Sequence, residues 1–380
     1  MADHTIHFEG AAEPVSVPTG TLLSEAARLA GVDILQPCGG QGRCGRCAVQ
    51  VVDGTVRRRS TLRLSPADVE AGFALACQAV VEGDARVYVP PQEKIERRLT
   101  TDRTVAEVVV PDWYDPASQQ AIRRVSLTLD PPTMDDQTDD WSRVQRALRQ
   151  QAGLDEVGVS LGTLRGIGAA LREGDWQATA ILDVQRWDCD PCQPVLVDLL
   201  PGHLTDDTPL WGAAVDIGTT TVTLWLVDLL SGEVKAQVAE YNGQIARGED
   251  VISRIVYAEK GEENRQEMRA LVLDTANTLL ETACKRVQAR PTDVYKATVA
   301  GNSTMIHLLL GIPAGSIRLS PFITAVNHVP PVSAREVGIG IHPAARVDCL
   351  PGVASYVGAD ISSGVLSSGM DDSEQVTLFL

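Results

Sequence analysis

Four cysteines near the start of the sequence constrain this 380-residue chain more than any other feature. Cys38, Cys44 and Cys47 stand in the run CGGQGRCGRC, a Cys-x5-Cys-x2-Cys spacing, and Cys77 follows after a further 29 residues. Three thiols on one short loop and a fourth returned by the fold make the pattern of an iron–sulfur ligand set. Gly39, Gly40, Gly42 and Gly45 agree with it. A loop wrapped around a cluster needs left-handed backbone and close approach, so that amide N–H groups reach sulfur. Zinc is the natural rival, but zinc sites pair Cys-x2-Cys with a second such pair or with His-x3-5-His, and neither lies near Cys77. The spacing therefore predicts a chain that moves electrons.

A spacing one residue shorter in the first gap holds the [2Fe-2S] cluster of plant-type ferredoxins. The flanking sequence predicts the small β-grasp fold of that kind. Residues 4–8 and 14–17 alternate as a hairpin. Thr21 is expected to cap a helix with Leu22, Leu23, Ala26, Ala27 and Ala30 on one face and Gly31 at its end. A strand is expected over 48–52. Ser65, Pro66 and Asp68 spell the start of a short helix before Cys77, and residues 86–89 close the sheet. Residues 1–90 thus read as a [2Fe-2S] ferredoxin-like domain whose metal ligands are Cys38, Cys44, Cys47 and Cys77.

The polar, proline-led stretch 91–104 reads as a linker. Residues 105–208 then predict a small mixed α/β domain, with strands over 108–111, 126–129, 179–184 and 195–199 and helices over 141–151 and 163–173. Its one chemically suggestive feature is Cys189-x2-Cys192, a redox pair or half of a metal site. With no second pair and aspartates alongside, no role is assigned to it.

The third region, 211–380, opens on AAVDIGTTTVTLWLVDLLSGEV. Residues 213–217 predict a buried strand, Gly218 a tight turn, and 221–227 the returning strand. Such a hairpin aims the amides and hydroxyls of Gly218, Thr219, Thr220 and Thr221 at one spot. Phosphate oxygens accept such bonds, and Asp216 at the strand end is placed to hold Mg²⁺ through water. Farther on, a strand over 294–300 runs into Gly301, Asn302, Ser303 and Thr304 and then an apolar helix over 305–310, a corner suited to anions. The amphipathic helices near 249–259 and 265–287 are expected to be core. A Gly-x4-Gly-Lys-Ser/Thr loop is absent, which excludes a P-loop enzyme.

With 44% hydrophobic residues the chain has material for two to four domains. Its formal net charge of −17 argues against nucleic acid and anionic membranes as partners. No secretory segment and no long apolar run occur, and the eight cysteines show no disulfide-like density, so a cytoplasmic protein is expected.

DIGTTT resembles the first phosphate motif of the superfamily that joins acetate and sugar kinases, heat-shock ATPases and actin. Joined behind a [2Fe-2S] module, with YNGQIARGEDVISRI over 241–255, AGNSTM over 300–305 and YVGADI over 356–361, the sequence resembles the reductive activators of corrinoid-dependent enzymes. The resemblance covers nearly the whole chain and is weakest over 104–202. It implies an α+β / α/β multidomain protein in which the last region is an actin-like ATPase lobe of ribonuclease H-like type.

It also implies a function. The activator returns one electron to an inactive Co(II) corrinoid, regenerating Co(I), with ATP and Mg²⁺ helping an uphill transfer. Plant-type clusters lie at roughly −400 mV, and each further 100 mV costs about 2.3 kcal/mol per electron. The implied partners are a corrinoid protein or corrinoid methyltransferase and an upstream low-potential electron donor; a homodimer is compatible with the sequence. Asp216 with Gly218 to Thr221, and Gly301 to Thr304, would hold the nucleotide. Family members continue with a further lobe, whereas this sequence stops at the strand-like Val376-Thr377-Leu378-Phe379-Leu380. The expectation is a fragment, or an incomplete ATP site. The alternative function is a simple [2Fe-2S] electron carrier without ATP coupling. A flavin reductase is disfavoured, because no Arg-x-Tyr-Ser/Thr or Gly-x-Gly-x-x-Gly signature occurs, and no residue points to a sugar pocket.

Overall fold

The computed structural model describes residues 2–91, 119–184 and 193–370. Most of the expected linker, the expected strand over 108–111, Cys189 with Cys192 and the terminal 376–380 lie outside these residues.

Strands β1 (Asp3–Phe8), β2 (Val15–Pro18), β3 (Ala48–Arg58), β4 (Phe73–Leu75) and β5 (Ala79–Tyr88) form one sheet in the order β2-β1-β5-β3-β4. β1 pairs antiparallel with β2 and parallel with β5. Alternation along β1 buries Ile6 and Phe8 against the helix Leu23–Leu29, whose Leu23, Ala26 and Ala27 fill the same core. This is the expected β-grasp arrangement.

Two local expectations are corrected. Thr21 does not cap the helix: the N-cap is Leu22, without a side-chain bond, and the Thr21 hydroxyl donates to the Pro18 carbonyl at 2.8 Å. The Thr21 carbonyl accepts from the Val81 amide at 2.8 Å and Leu22 bridges to Val80, so the sheet claims both residues. β3 runs six residues past the expected end at 52, to Arg58. The register of β3 shifts against β5 between Val51 and Asp53 and between Gly54 and Val56.

A second sheet, β6 (Ile122–Thr128), β7 (Gly158–Val159), β8 (Gln177–Asp183) and β9 (Val195–Pro201), has the order β6-β8-β9-β7. Two helices, Asp140–Ala152 and Leu161–Glu173, bury Val144, Leu148, Ile167 and Leu171 against it. Each begins at a side-chain cap, Asp139 and Ser160, as their positions before apolar-periodic runs favour.

The third sheet contains β10 (Trp211–Ile217), β11 (Thr221–Asp228), β12 (Glu233–Tyr241), β13 (Val294–Gly301), β14 (Val332–Ser333) and β15 (Arg346–Cys349), in the order β12-β11-β10-β13-β15-β14. β10 and β11 are antiparallel, while β13 lies parallel to both β10 and β15. Three consecutive strands followed by two parallel crossover strands give a ribonuclease H-like sheet. The ends of β10 and β13 emerge side by side, with Ile217 opposite Gly301.

The chain divides into two compact units. One contains the β-grasp sheet together with Tyr241–Val272 and His307–Ala325; the other contains the second and third sheets with Leu273–Ile306. Among the described residues no helix is long and apolar enough to cross a membrane.

Candidate cluster centre and phosphate corner

Cys38 and Cys44 lie on the loop before β3, Cys47 directly precedes that strand, and Cys77 sits in the short turn Ala76–Gln78 between β4 and β5. The Ala76 amide donates to the Cys47 carbonyl at 2.9 Å, and the Gln78 side-chain amide donates to the Gly40 carbonyl at 2.9 Å, so loop and turn are tied together. The sulfurs meet in two pairs: Cys44 Sγ donates to Cys38 Sγ at 3.3 Å and Cys47 Sγ to Cys77 Sγ at 3.2 Å. Two thiolates on one tetrahedral metal with bonds near 2.3 Å stand roughly 3.7 Å apart, so each pair suits one metal ion. Among the described residues no three of His, Cys, Asp and Glu converge on a single ion. Pairwise convergence fits a binuclear centre, and the residues present fit a [2Fe-2S] cluster.

The electrostatics agree. Cys38 is pulled down to about 4 by the Cys44 thiol, and the backbone amides of Arg43, Cys44 and Gln41 also act on it. Cys77 is lowered by the Cys47 thiol, with further help from the Gly42 amide and the Gln78 side chain. The donors Cys44 and Cys47 are pushed up, first by those bonds and then by burial. Backbone N–H groups thus converge on sulfur, as the glycine-rich loop predicts; Gly39, Gly40, Gly42 and Gly45 all have left-handed φ, between +66° and +81°.

Sequence reasoning gave no role here to the segment YNGQIARGEDVISRI, which packs on the cluster loop within the same unit. The Gln36 amide donates to the Ala246 carbonyl at 2.8 Å, and the Glu249 amide donates to the Pro37 carbonyl. Arg247 bonds Asp33 at 2.6 Å and Glu267 at 2.7 Å. A Cβ at Gly39 would fall on the Ser253 carbonyl oxygen, so this contact requires glycine. Arg254 is fully buried, donates to the Gly248 carbonyl at 2.8 Å and to Gln244 Oε1 at 3.0 Å, and is lowered by burial to about 10, which leaves it charged at neutral pH.

In the other unit, Asp216 lies near the end of β10, opposite Thr223 and Ala300. The Gly218 amide closes the turn on the Thr221 carbonyl at 3.0 Å, and Thr220 at the tip is exposed. Asn302 Nδ2 donates to Thr219 Oγ1 at 3.3 Å, and Asn302 Oδ1 accepts from the Met305 amide at 3.0 Å at the start of the helix Ser303–Leu310. The two expected corners therefore meet. Ser303 and Thr304 turn inward: Ser303 donates to the Ala354 carbonyl at 2.7 Å, and the Thr304 hydroxyl is buried without a partner. Gly301 packs against Ile217, where an added Cβ would come within 2.9 Å of its carbonyl oxygen.

Asp360, in the first turn of the helix Ala359–Ser367, was not singled out from the sequence, although YVGADI contains it. Burial raises the Asp216 carboxyl, and the charge of Asp360 raises it further. That helix starts hard against the corner: a Cβ at Gly358 would come within 2.6 Å of the Ser303 amide nitrogen. Two carboxylates opposing one another beside amides and hydroxyls can hold a divalent cation and phosphate oxygens together.

Comparison with known proteins follows this division. Residues 6–82 match the 2Fe-2S iron-sulfur cluster binding domain, 117–206 the RACo linker region and 211–373 the RACo middle region. The chain is 26% identical over 360 residues to the corrinoid activation enzyme RamQ of Eubacterium limosum, covering 94% of this chain and 54% of that protein. It is 34% identical over 74 residues to the ferredoxin reductase component of 3-ketosteroid-9-alpha-monooxygenase from Rhodococcus rhodochrous, 20% of this chain and 21% of that one. Among solved structures, a reductive activator for corrinoid, iron-sulfur protein superposes with a TM-score of 0.61 at 35% identity, over 99% of this chain and 59% of that one. The chain thus spans between half and two thirds of the length of RamQ and of that activator. Matched in order from residue 6 to residue 373 by a 2Fe-2S domain and the RACo linker and middle regions, the chain is similar over nearly its whole length to a reductive activator for corrinoid, iron-sulfur protein.

Proposed function

We propose that this chain supplies the electron-delivering and nucleotide-binding parts of a reductive activator, passing one electron to the Co(II) form of a corrinoid protein or corrinoid methyltransferase to regenerate Co(I), coupled to MgATP. The observation that carries this reading is the pairing of the sulfurs, Cys38 with Cys44 and Cys47 with Cys77, in a chain similar over 99% of its length to a corrinoid activator. A bound [2Fe-2S] cluster supplies one-electron chemistry, filled by an upstream low-potential donor. The four cysteines hold it, and the amides of Gln41, Gly42, Arg43 and Cys44, with the Gln78 side chain, favour its negative charge.

The nucleotide part rests on the corner built by Asp216, Gly218 to Thr221, Gly301 and Asn302. Its Thr219–Asn302 bond joins the two loops into one phosphate cradle, and Asp216 with Asp360 would take Mg²⁺. The organisation that accompanies this function is a ferredoxin-like domain over 1–90, a linker over 91–104, a middle domain over 105–208, and an actin-like lobe with the start of a second over 211–380.

The test is anaerobic absorption spectroscopy of a Co(II) corrinoid protein mixed with the reduced chain. Co(I) that forms only with both a reduced centre and MgATP is expected. Co(I) formed at the same rate without ATP would remove the coupling and leave an electron carrier.

A further inference from the structure

Lys260 closes the segment that packs on the cluster loop. Its ammonium lies 4.9 Å from the centre of the Tyr257 ring. It also reaches the loop itself, since a Cβ on Gly40 would collide with Lys260 Nζ and come to 3.0 Å from Gln36 Oε1. Gln36 Oε1 is buried without a hydrogen-bond partner in the protein. The amine and this acceptor therefore share one polar recess beside Gly40 of the cluster loop, at a cavity of about 160 Å³ that Glu25, Tyr257 and Asn264 also line.

Three neighbouring cations are paired with carboxylates. Arg28 pairs with Glu263, Arg43 with Asp250, and Arg247 with Asp33 and Glu267. Lys260 has no carboxylate within ion-pair distance among the described residues; the residue is exposed overall, while its amine lies against Gly40 and the Tyr257 ring. Burial lowers its proton affinity, and the charges of Cys77, Glu25, Cys38 and Cys47 oppose that loss.

We infer that Lys260 is a positioning charge for the centre on Cys38, Cys44, Cys47 and Cys77, and that its ammonium beside Gly40 raises the reduction potential of that centre. The inference rests on the [2Fe-2S] reading of the cysteines. Adding one electron adds one negative charge, so a fixed cation outside the ligand set stabilises the reduced form more than the oxidised form. The cation comes from a segment more than 160 residues beyond Cys77 in sequence, Tyr241–Val272, and not from the ferredoxin-like sheet. By linkage, reduction must tighten the packing of that segment on the loop.

The test is an EPR-monitored redox titration of the cluster-loaded full chain and of Lys260→Met and Lys260→Arg, with visible absorption reporting loading. Lys260→Met keeps the apolar stem and removes the charge. Its reduction equilibrium is expected to fall by on the order of tenfold, about 59 mV for a one-electron couple, while Lys260→Arg stays near wild type. Equal potentials in wild type and Lys260→Met overturn the inference. A wild-type experiment stands beside the variants: with lysine labelled by ¹⁵N at the ε-amine, pulsed EPR of the reduced centre is expected to show a weak dipolar nitrogen coupling. Its absence overturns the inference even if no variant loads. No reducible centre in the wild-type chain would instead sink the [2Fe-2S] reading.

Discussion

The guanidinium of Arg247 bonds the carboxylate of Asp33 at 2.6 Å across 214 residues of sequence. Its other face bonds Glu267 at 2.7 Å, and only 11% of the side chain is exposed. Arg247→Met is therefore expected to destabilise the unit by about 2 kcal/mol, the scale of a hydrogen bond to a charged group left unmade. Asp33→Asn is expected to cost at most about 1 kcal/mol, because Asp33 is 68% exposed and its pair is screened by solvent. Urea denaturation of both variants checks the ranking.

Cys284 and Cys349 provide the contrast to the four ligands. Both are buried, and burial raises them to about 11 and about 12, with Asp293 and Asp348 adding to the effect. They are protonated thiols at neutral pH. Serine at Cys47 or Cys77 is expected to abolish iron binding, whereas serine at Cys284 or Cys349 leaves iron content and visible absorption unchanged. Iron and acid-labile sulfide analysis of the purified variants decides this.

Asp216 titrates in the opposite sense from a paired carboxylate. Its folded-state proton affinity is raised, so its contribution to stability is fully present below the ordinary carboxylate range and is lost as pH rises through its folded value. Asp216→Asn is expected to raise the melting temperature at pH 7, with the gain shrinking as pH falls through the raised folded-state value and gone below the usual aspartate value. The same change is expected to weaken MgATP binding by roughly tenfold, about 1.4 kcal/mol. Calorimetry of melting and of binding reads the two effects separately.

Lys296 joins two sheets of its unit, bonding Asp348 at 2.7 Å and Asp183 at 3.5 Å, with Arg346 at 3.7 Å from Asp183. Asp183 is 1% exposed, and burial raises its carboxyl against the pull of both cations. Lys296→Met leaves a buried carboxylate short of one partner and is expected to cost about 3 kcal/mol, measured by equilibrium unfolding.

What the sequence revealed depended on how local the cause was. Ser65 and Asp68 bond each other's backbone within one turn, at 3.1 and 2.9 Å, and the capping box was legible as written. Thr21 carries the same kind of signal, but Val81 takes its carbonyl, and no local pattern announces that. The four cysteines were legible as a ligand set from their spacing, because a cluster imposes its own geometry on the chain. The packing of residues 242–260 on the cluster loop did not, since Arg247, Asp250 and Lys260 look like ordinary surface charges until the fold places them. Asp360 was within a motif noted from the sequence, yet only the parallel pairing of β10 with β13 brings its helix to Asp216.

The central claim is that these four cysteines hold a one-electron centre. The most direct measurement is iron quantification with Mössbauer and EPR spectroscopy of the anaerobically purified chain before and after reduction. Two irons and two sulfides per chain, silent when oxidised and giving one unpaired spin after uptake of one electron, is the predicted result. A single tetrahedral zinc, or iron that takes up no electron, would contradict it.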